Sequence, residues 1–207
     1  MSDVAAVLLA AGQSKRMGAF KPLLPFGNHT VIESCIDYLH SGGVSTDSIV
    51  VVLGHRSQDV VNRLGNLSVQ VALNSDPESQ MIASITAGLQ KVPTAKAILI
   101  ALADHPAVPS TIVSTLISEW QNGSRLVIPT WQDRGGHPVL VDLSFRQELQ
   151  NLDPNLGLKS LFTAHPNEVK RLPVNSPFIA RDMDTWDDYV ALYTEVFGVA
   201  PPPPPRD

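Results

Sequence analysis

A chain of 207 residues, 43% hydrophobic and 17% charged, is long enough to bury a full core and short enough to form one domain. Its formal net charge of -5 argues against a general nucleic-acid binder, since that affinity rests on many phosphate contacts from a basic face; a local basic site for a small anion remains compatible. The single cysteine, Cys35, excludes an intramolecular disulfide and no Cys/His spacing marks structural zinc, which together lead us to expect a reducing, cytoplasmic setting.

In chain order, the first segment MSDVAAVLLAAG carries an acid where a signal peptide carries cations, and its apolar run is too short for a bilayer. It reads as a buried strand over 5–11. Three more apolar runs, 48–54, 69–74 and 97–104, show almost no alternation, the signature of strands covered on both faces. Between them lie helical patterns. Val31, Ile32, Cys35, Ile36 and Leu39 form one stripe, with Thr30 and Glu33 placed as a capping box and Gly42 as a stop. Residues 56–65, 79–90 and 109–123 repeat the pattern, the last opening on proline and closing on glycine. This βαβ rhythm predicts a three-layer α/β/α sandwich around a Rossmann-like, mostly parallel sheet, with ligands at the carboxyl ends of its strands.

Beyond residue 123 the rhythm changes. Two strands, 125–130 and 138–143, flank WQDRGGH, which reads as an inserted hairpin or functional loop. A helix over 157–164, a strand over 168–174 and a C-terminal helix over 186–197 follow. One domain is expected over 1–199, and 200–207, APPPPPRD, reads as a disordered tail.

The chemistry concentrates where the first strand ends. Gly12, Gly18 and the cations Lys15, Arg16 and Lys21 suggest a phosphate site of bare backbone donors and charge, with Lys15 facing solvent. It is neither a Walker A loop, since five residues separate the glycines and Ala19-Phe20 follow, nor the dinucleotide fingerprint, since Gly12-Gln13-Ser14 breaks it. Asp104 ends an apolar strand at the crevice, where a carboxylate needs a cation or serves as a helix cap. Asp184 reads as its partner for a divalent metal or as a cap, with Asp182 in reserve. Trp131, Arg134, Gly136, His137 and Lys159 are placed to hold a planar acceptor and its phosphate, or Trp131 simply braces a hairpin. His55 reads as a turn residue and Cys35 as core.

The loop fits LxAGxSxRMGxxKxLLPxG through Leu9, Ala11, Gly12, Ser14, Arg16, Met17, Gly18, Lys21, Leu23, Leu24, Pro25 and Gly27. That pattern resembles the MobA-like NTP transferases, most closely the molybdenum cofactor cytidylyltransferase group. The likeness continues through Gly54-His55, Asn74, Met81, Ser84, Gly88, 102–106, 136–140, Gly157, Lys159 and 182–185. Two positions depart: His105 stands where the group carries glutamine, and Gln80 where it carries glycine. The LAAG form resembles the cytidylyl branch, whereas the guanylyl branch carries LAGG. The resemblance implies a fold of the nucleotide-diphospho-sugar transferase type and transfer of CMP from CTP to the phosphate of molybdopterin, releasing pyrophosphate. It implies Arg16, Lys21 and Asp104 as catalytic residues, and Leu9, Ala10, Ala11, Gly12, Ser14, Gly54, Asn74 and Ser84 around the nucleotide. Mg²⁺ would sit on Asp104 and Asp184, and a molybdenum enzyme would be a transient partner. Two alternatives stay open: another phosphorylated alcohol or sugar as acceptor, and a nonenzymatic protein that binds or delivers the cofactor.

Overall fold

The computed structural model describes residues 3–14, 16–65, 67–74, 81–153 and 155–203. Lys15, Gln80 and the end of the proline tail lie outside the described residues. The chain runs β1 (Val4–Ala10), β2 (Pro25–Phe26), β3 (His29–Thr30), α1 (Val31–Ser41), β4 (Ile49–Leu53), α2 (Ser57–Leu64), β5 (Gln70–Leu73), α3 (Met81–Leu89) and β6 (Ala97–Leu102). It continues with α4 (Ser110–Gln121), β7 (Leu126–Trp131), β8 (Arg134–Gly135), β9 (Val139–Asp142), α5 (Arg146–Leu149), α6 (Leu158–Ala164), β10 (Val169–Pro173) and α7 (Trp186–Phe197).

Seven strands lie in the order β10-β7-β9-β6-β1-β4-β5, with β8 added beside β7; β2 and β3 form a small separate hairpin. β1 pairs in parallel with β4 and β6, β4 with β5, and β7 with β10, while β9 is antiparallel to both its neighbours. This is the mostly parallel α/β sheet expected from the unalternating runs. Alternate residues of the central strands serve opposite faces. Ala6, Leu8, Val51 and Leu99 pack under α1, α2 and α4, whereas Val7, Val50, Val52, Ile98 and Ile100 pack under α3, α5 and α6.

The capping box at Thr30 and Glu33 is present, and Gly42 closes α1. Gly88 lets α3 sit directly on the sheet, because a Cβ there would lie 2.5 Å from Val7 Cγ1. The fourth run leaves the ladder at Leu102, two residues earlier than its hydropathy suggests. Ala103 N–H still donates to the Leu9 carbonyl at 3.0 Å, so Asp104 is delivered just past the strand end. The hairpin after β7 turns on Gln132 and Asp133, both left-handed (φ 49 and 62), and not on the glycine pair.

A third cluster, Met17, Leu24, Phe26, Val31, Met183, Tyr189, Leu192 and Tyr193, lies outside the two sheet faces. It clamps the segment after β1 against α7, and the Tyr189 hydroxyl donates to the Pro25 carbonyl at 2.7 Å. Among the described residues no helix is long and apolar enough to cross a membrane.

Candidate active site

At the carboxyl end of β1 the chain passes Ala11 and Gly12 into a tight turn. A Cβ on Gly12 would meet nothing within 4 Å, so its backbone faces open space from which an anion can approach. Ser14 takes a left-handed conformation (φ 54), its carbonyl accepts from Met17 N–H at 3.1 Å, and its hydroxyl accepts from Lys21 N–H at 3.2 Å. Met17 is anchored in the third cluster. These contacts turn the loop back on itself, so that Leu9, Ala10, Gly12, Ser14, Lys21 and Asp104 line one pocket of about 90 Å³.

Asp184 bridges the two cations. Its Oδ2 accepts from Arg16 Nη2 at 2.6 Å and its Oδ1 from Lys21 Nζ at 2.8 Å. The hydrogen bond from Lys21 is the main reason the carboxyl is held below the ordinary carboxylate range, with the charges of Lys21 and Arg16 adding to it. Arg16 is 72% exposed and Lys21 only 13%, so the lysine is the built-in member of the pair. Asp184 does not cap α7: Thr185 does, in a reciprocal box with Asp188. Asp104 likewise is not the cap of α4, whose N-cap is Pro109.

Asp104 Oδ1 is buried and, among the described residues, accepts no hydrogen bond. A desolvated carboxylate oxygen without a donor is costly, and a cation is the natural complement. Among the described residues no three His, Cys, Asp or Glu side chains converge as a metal cage. A site that takes one or two carboxylates and completes its shell from phosphate and water needs none. The residues therefore fit a divalent ion shared with substrate.

Next to Asp104 lies His105, 6% exposed, with Nε2 3.8 Å from Asp104 Oδ1 and a buried Nδ1 that has no hydrogen-bond partner among the described residues. Burial lowers its pKa against the opposing pull of Asp104, so the ring is neutral. His137 faces it at 6.0 Å between ring centroids, and its Nδ1 lies 3.3 Å from the Ile100 carbonyl. Burial holds His137 down at about 4. Beneath them, Cys35 is fully buried and donates to the Ala103 carbonyl at 3.7 Å, a core residue as expected; burial pushes its thiol pKa up.

The remaining nucleotide-side expectations fall beside this pocket. Gly54 packs where a Cβ would lie 2.8 Å from the Ala11 carbonyl, and Asn74 Nδ2 donates to the buried Ser84 hydroxyl at 2.8 Å. Together they join the ends of β1, β4 and β5 to α3. His55 is exposed, with its ring edge-on to Phe20 at 6.3 Å between centroids, as fits a turn residue.

On the acceptor side, Gly136, His137 and Lys159 line a cleft of about 760 Å³ between α6 and strands β7, β9 and β10. Trp131 and Arg134 do not line it. They pair across the β7–β8 hairpin, and Trp131 packs on the first core cluster, as the bracing alternative has it. Phe162 and Arg171 also line the cleft, and sequence reasoning passed over both.

A glycine- and cation-bearing loop at the end of β1, facing Asp104 on a mostly parallel sheet, is an arrangement suited to an α/β enzyme that handles nucleotides. The chain belongs to the family of the MobA-like NTP transferase domain, whose model matches residues 6–169, and is thus an enzyme of the nucleotidyltransferase type. It is 29% identical to a nicotine blue oxidoreductase of Paenarthrobacter nicotinovorans, over 91% of this chain and 96% of that protein. It is 25% identical to the molybdenum cofactor cytidylyltransferase of Escherichia coli, over 95% of this chain and all of that protein. Among solved structures, Rv0371c of Mycobacterium tuberculosis aligns with a TM-score of 0.81 at 28% identity, covering 92% of this chain and 96% of that one. A manganese complex of Rv0371c aligns at 0.78 and 26%, covering 92% and 97%.

Proposed function

We propose that this enzyme transfers CMP from CTP to the phosphate of a molybdopterin-type acceptor and releases pyrophosphate, with Mg²⁺ held by Asp104 and Asp184. The observation that carries the reading is the convergence of Gly12, Ser14, Lys21 and Asp104 in one pocket at the carboxyl end of β1. The cytidylyltransferase relative, aligned over its whole length, supports the choice of base and acceptor; the manganese complex of Rv0371c supports a divalent ion.

In the reaction an acceptor phosphate oxygen forms a bond to the α-phosphorus of CTP, and the bond to the bridging oxygen breaks. A phosphomonoester with second pKa near 6 is already ionised at neutral pH, so the chain need supply no general base. Its task is to hold anions together. Gly12 offers open backbone to the triphosphate, while Lys21 and Arg16 neutralise it and Lys21, the less exposed, stays placed as charge moves to the leaving group. Asp104 and Asp184 would hold a divalent ion, which would supply positive charge against the repulsion between the reacting anions.

CTP, GTP, ATP and UTP with Mg²⁺, scored for binding and for pyrophosphate release with molybdopterin, test this reading. CTP-selective, acceptor-dependent release is expected. Release with another nucleotide or with a sugar phosphate would move the assignment within the family. Nucleotide binding without release under any acceptor would favour a protein that binds or delivers the cofactor without turning over nucleotide.

A further inference from the structure

Among the described residues three buried side-chain atoms have no hydrogen-bond partner, and all three belong to one neighbourhood: Tyr38 Oη, Asp104 Oδ1 and His105 Nδ1. Asp104 and His105 are consecutive. Tyr38 comes from α1, is 5% exposed, and shares the wall of one concavity with Pro106 and Ala107, which follow them in the chain. Nearly one turn earlier on the helix, Cys35 donates to the Ala103 carbonyl at 3.7 Å, so this face of α1 lies against the backbone that carries Asp104. Burial pushes the Tyr38 hydroxyl pKa up, and the charges of Cys35 and Asp104 push it further. The hydroxyl therefore keeps its proton and stands within electrostatic reach of the carboxylate.

The two oxygens of Asp104 have different surroundings. The side chain is 30% exposed although Oδ1 is buried, so Oδ2 is the oxygen turned toward the pocket shared with Gly12 and Lys21. A divalent ion entering from that pocket meets Oδ2 and offsets the charge of the group. Oδ1 still needs a donor from inside the protein. His105 Nε2, at 3.8 Å, is too far for a hydrogen bond, and the ring's own hydrogen bond goes to the Ile179 carbonyl, which leaves Nδ1 as an acceptor. The Tyr38 O–H is the buried donor that lacks an acceptor. Three unpaired polar groups at one place are costly, and one water that pairs with all of them removes the cost.

Building on the reading of Asp104 as a metal ligand, we propose that Tyr38 is its positioning residue: an internal water accepts from the Tyr38 O–H and donates to Asp104 Oδ1 and His105 Nδ1, fixing the carboxylate with Oδ2 toward the pocket. The water then makes about three hydrogen bonds, as buried waters typically do. Tyr38 touches neither nucleotide nor metal. It holds one orientation of the carboxylate before the ion arrives, so that little is left to order when the ion binds.

Tyr38→Phe removes the hydroxyl and keeps the ring. A double-mutant cycle with Asp104→Ala, read by thermal unfolding without metal, measures the coupling between the two side chains. Tyr38→Phe is expected to lower the midpoint by about 2–4 °C in the native background and by less than half as much where Asp104 is replaced. In calorimetry the same variant should bind Mn²⁺ at least threefold more weakly, with CTP affinity in EDTA unchanged. Ile36→Val, which trims the core under the same helix, should lower the midpoint and leave Mn²⁺ affinity as it was. The proposal is overturned if Tyr38→Phe is as stable as the unaltered protein or more so, the result a truly orphaned hydroxyl would give. It is also overturned if the cost is the same with and without Asp104, or if Mn²⁺ affinity does not change. Failure of the nucleotidyl-transfer reading registers separately, as absent CTP binding or pyrophosphate release, and leaves the thermal cycle and the Mn²⁺ titration standing.

Discussion

The two ends of the sheet handle charge in opposite ways. At the β1 end, Arg16 and Lys21 are locked onto Asp184 at 2.6 and 2.8 Å around a pocket of about 90 Å³. At the β10 end, Lys159 and Arg171 border a cleft of about 760 Å³ and have no ion-pair partner among the described residues. The first end is preorganised, its two cations held by one carboxylate. The second is open, and its two cations are exposed. An ion pair that must be exchanged for substrate lowers apparent affinity but fixes geometry; unpaired cations do the reverse.

The sharpest way to break this contrast is at the less exposed cation. Lys21→Ala should lower the rate of pyrophosphate release by about 10²–10³-fold, the usual cost of removing one oriented charge stabiliser, without shifting the thermal midpoint appreciably. A loss under tenfold would show that the ordered end is structural.

Between the ends, His137 makes stability depend on pH. Its folded pKa is depressed to about 4 from 6.5, so the unfolded chain takes up the proton first. Stability is therefore unaffected by this group above 6.5 and falls as pH drops from 6.5 to about 4, by at most about 3 kcal/mol. Denaturant titrations at stepped pH should show a shallower fall in His137→Gln.

Gly136 packs tightly at the β10 end. A Cβ there would collide with the Ile179 carbonyl, and His137 N–H donates to the same carbonyl at 2.7 Å. Gly136→Ala should cost about 1–3 kcal/mol by overpacking, read in denaturant titrations, while leaving CTP affinity intact.

The gentlest test removes the internal counter-ion. Asp184→Asn frees Arg16 and Lys21, so CTP should bind several-fold tighter when divalent metal is chelated, while turnover with Mg²⁺ falls. Equal CTP binding by both forms in calorimetry would mean that the two ends do not differ as described.

Much of this was legible beforehand. Strands buried on both faces announce themselves by unalternating Val, Ile, Leu and Ala, and Thr30 with Glu33 spells a cap from local hydrogen bonding alone. The loop from Leu9 to Gly27 could be read because its glycines and cations act within one short segment. Asp104 was legible as an acid at the end of an apolar run. Trp131 and Arg134 pointed toward the acceptor, yet the structure pairs them across a hairpin outside the cleft, because the turn falls on Gln132-Asp133.

Sequence alone thus specified the sheet-forming runs and the capping box of α1, products of near-neighbour chemistry and of hydrophobic period. Tertiary structure decided the partnerships. Asp184 meets Arg16 across 168 positions, and only the third cluster, which seats the loop on α7, brings them together. Arg171 reads as an ordinary solvated charge in VKRLP, and becomes a cleft residue only because β10 lies beside β7 with α6 folded over it. Such contacts depend on where separate elements dock, and the packing that decides this leaves no mark on the local spacing of residues.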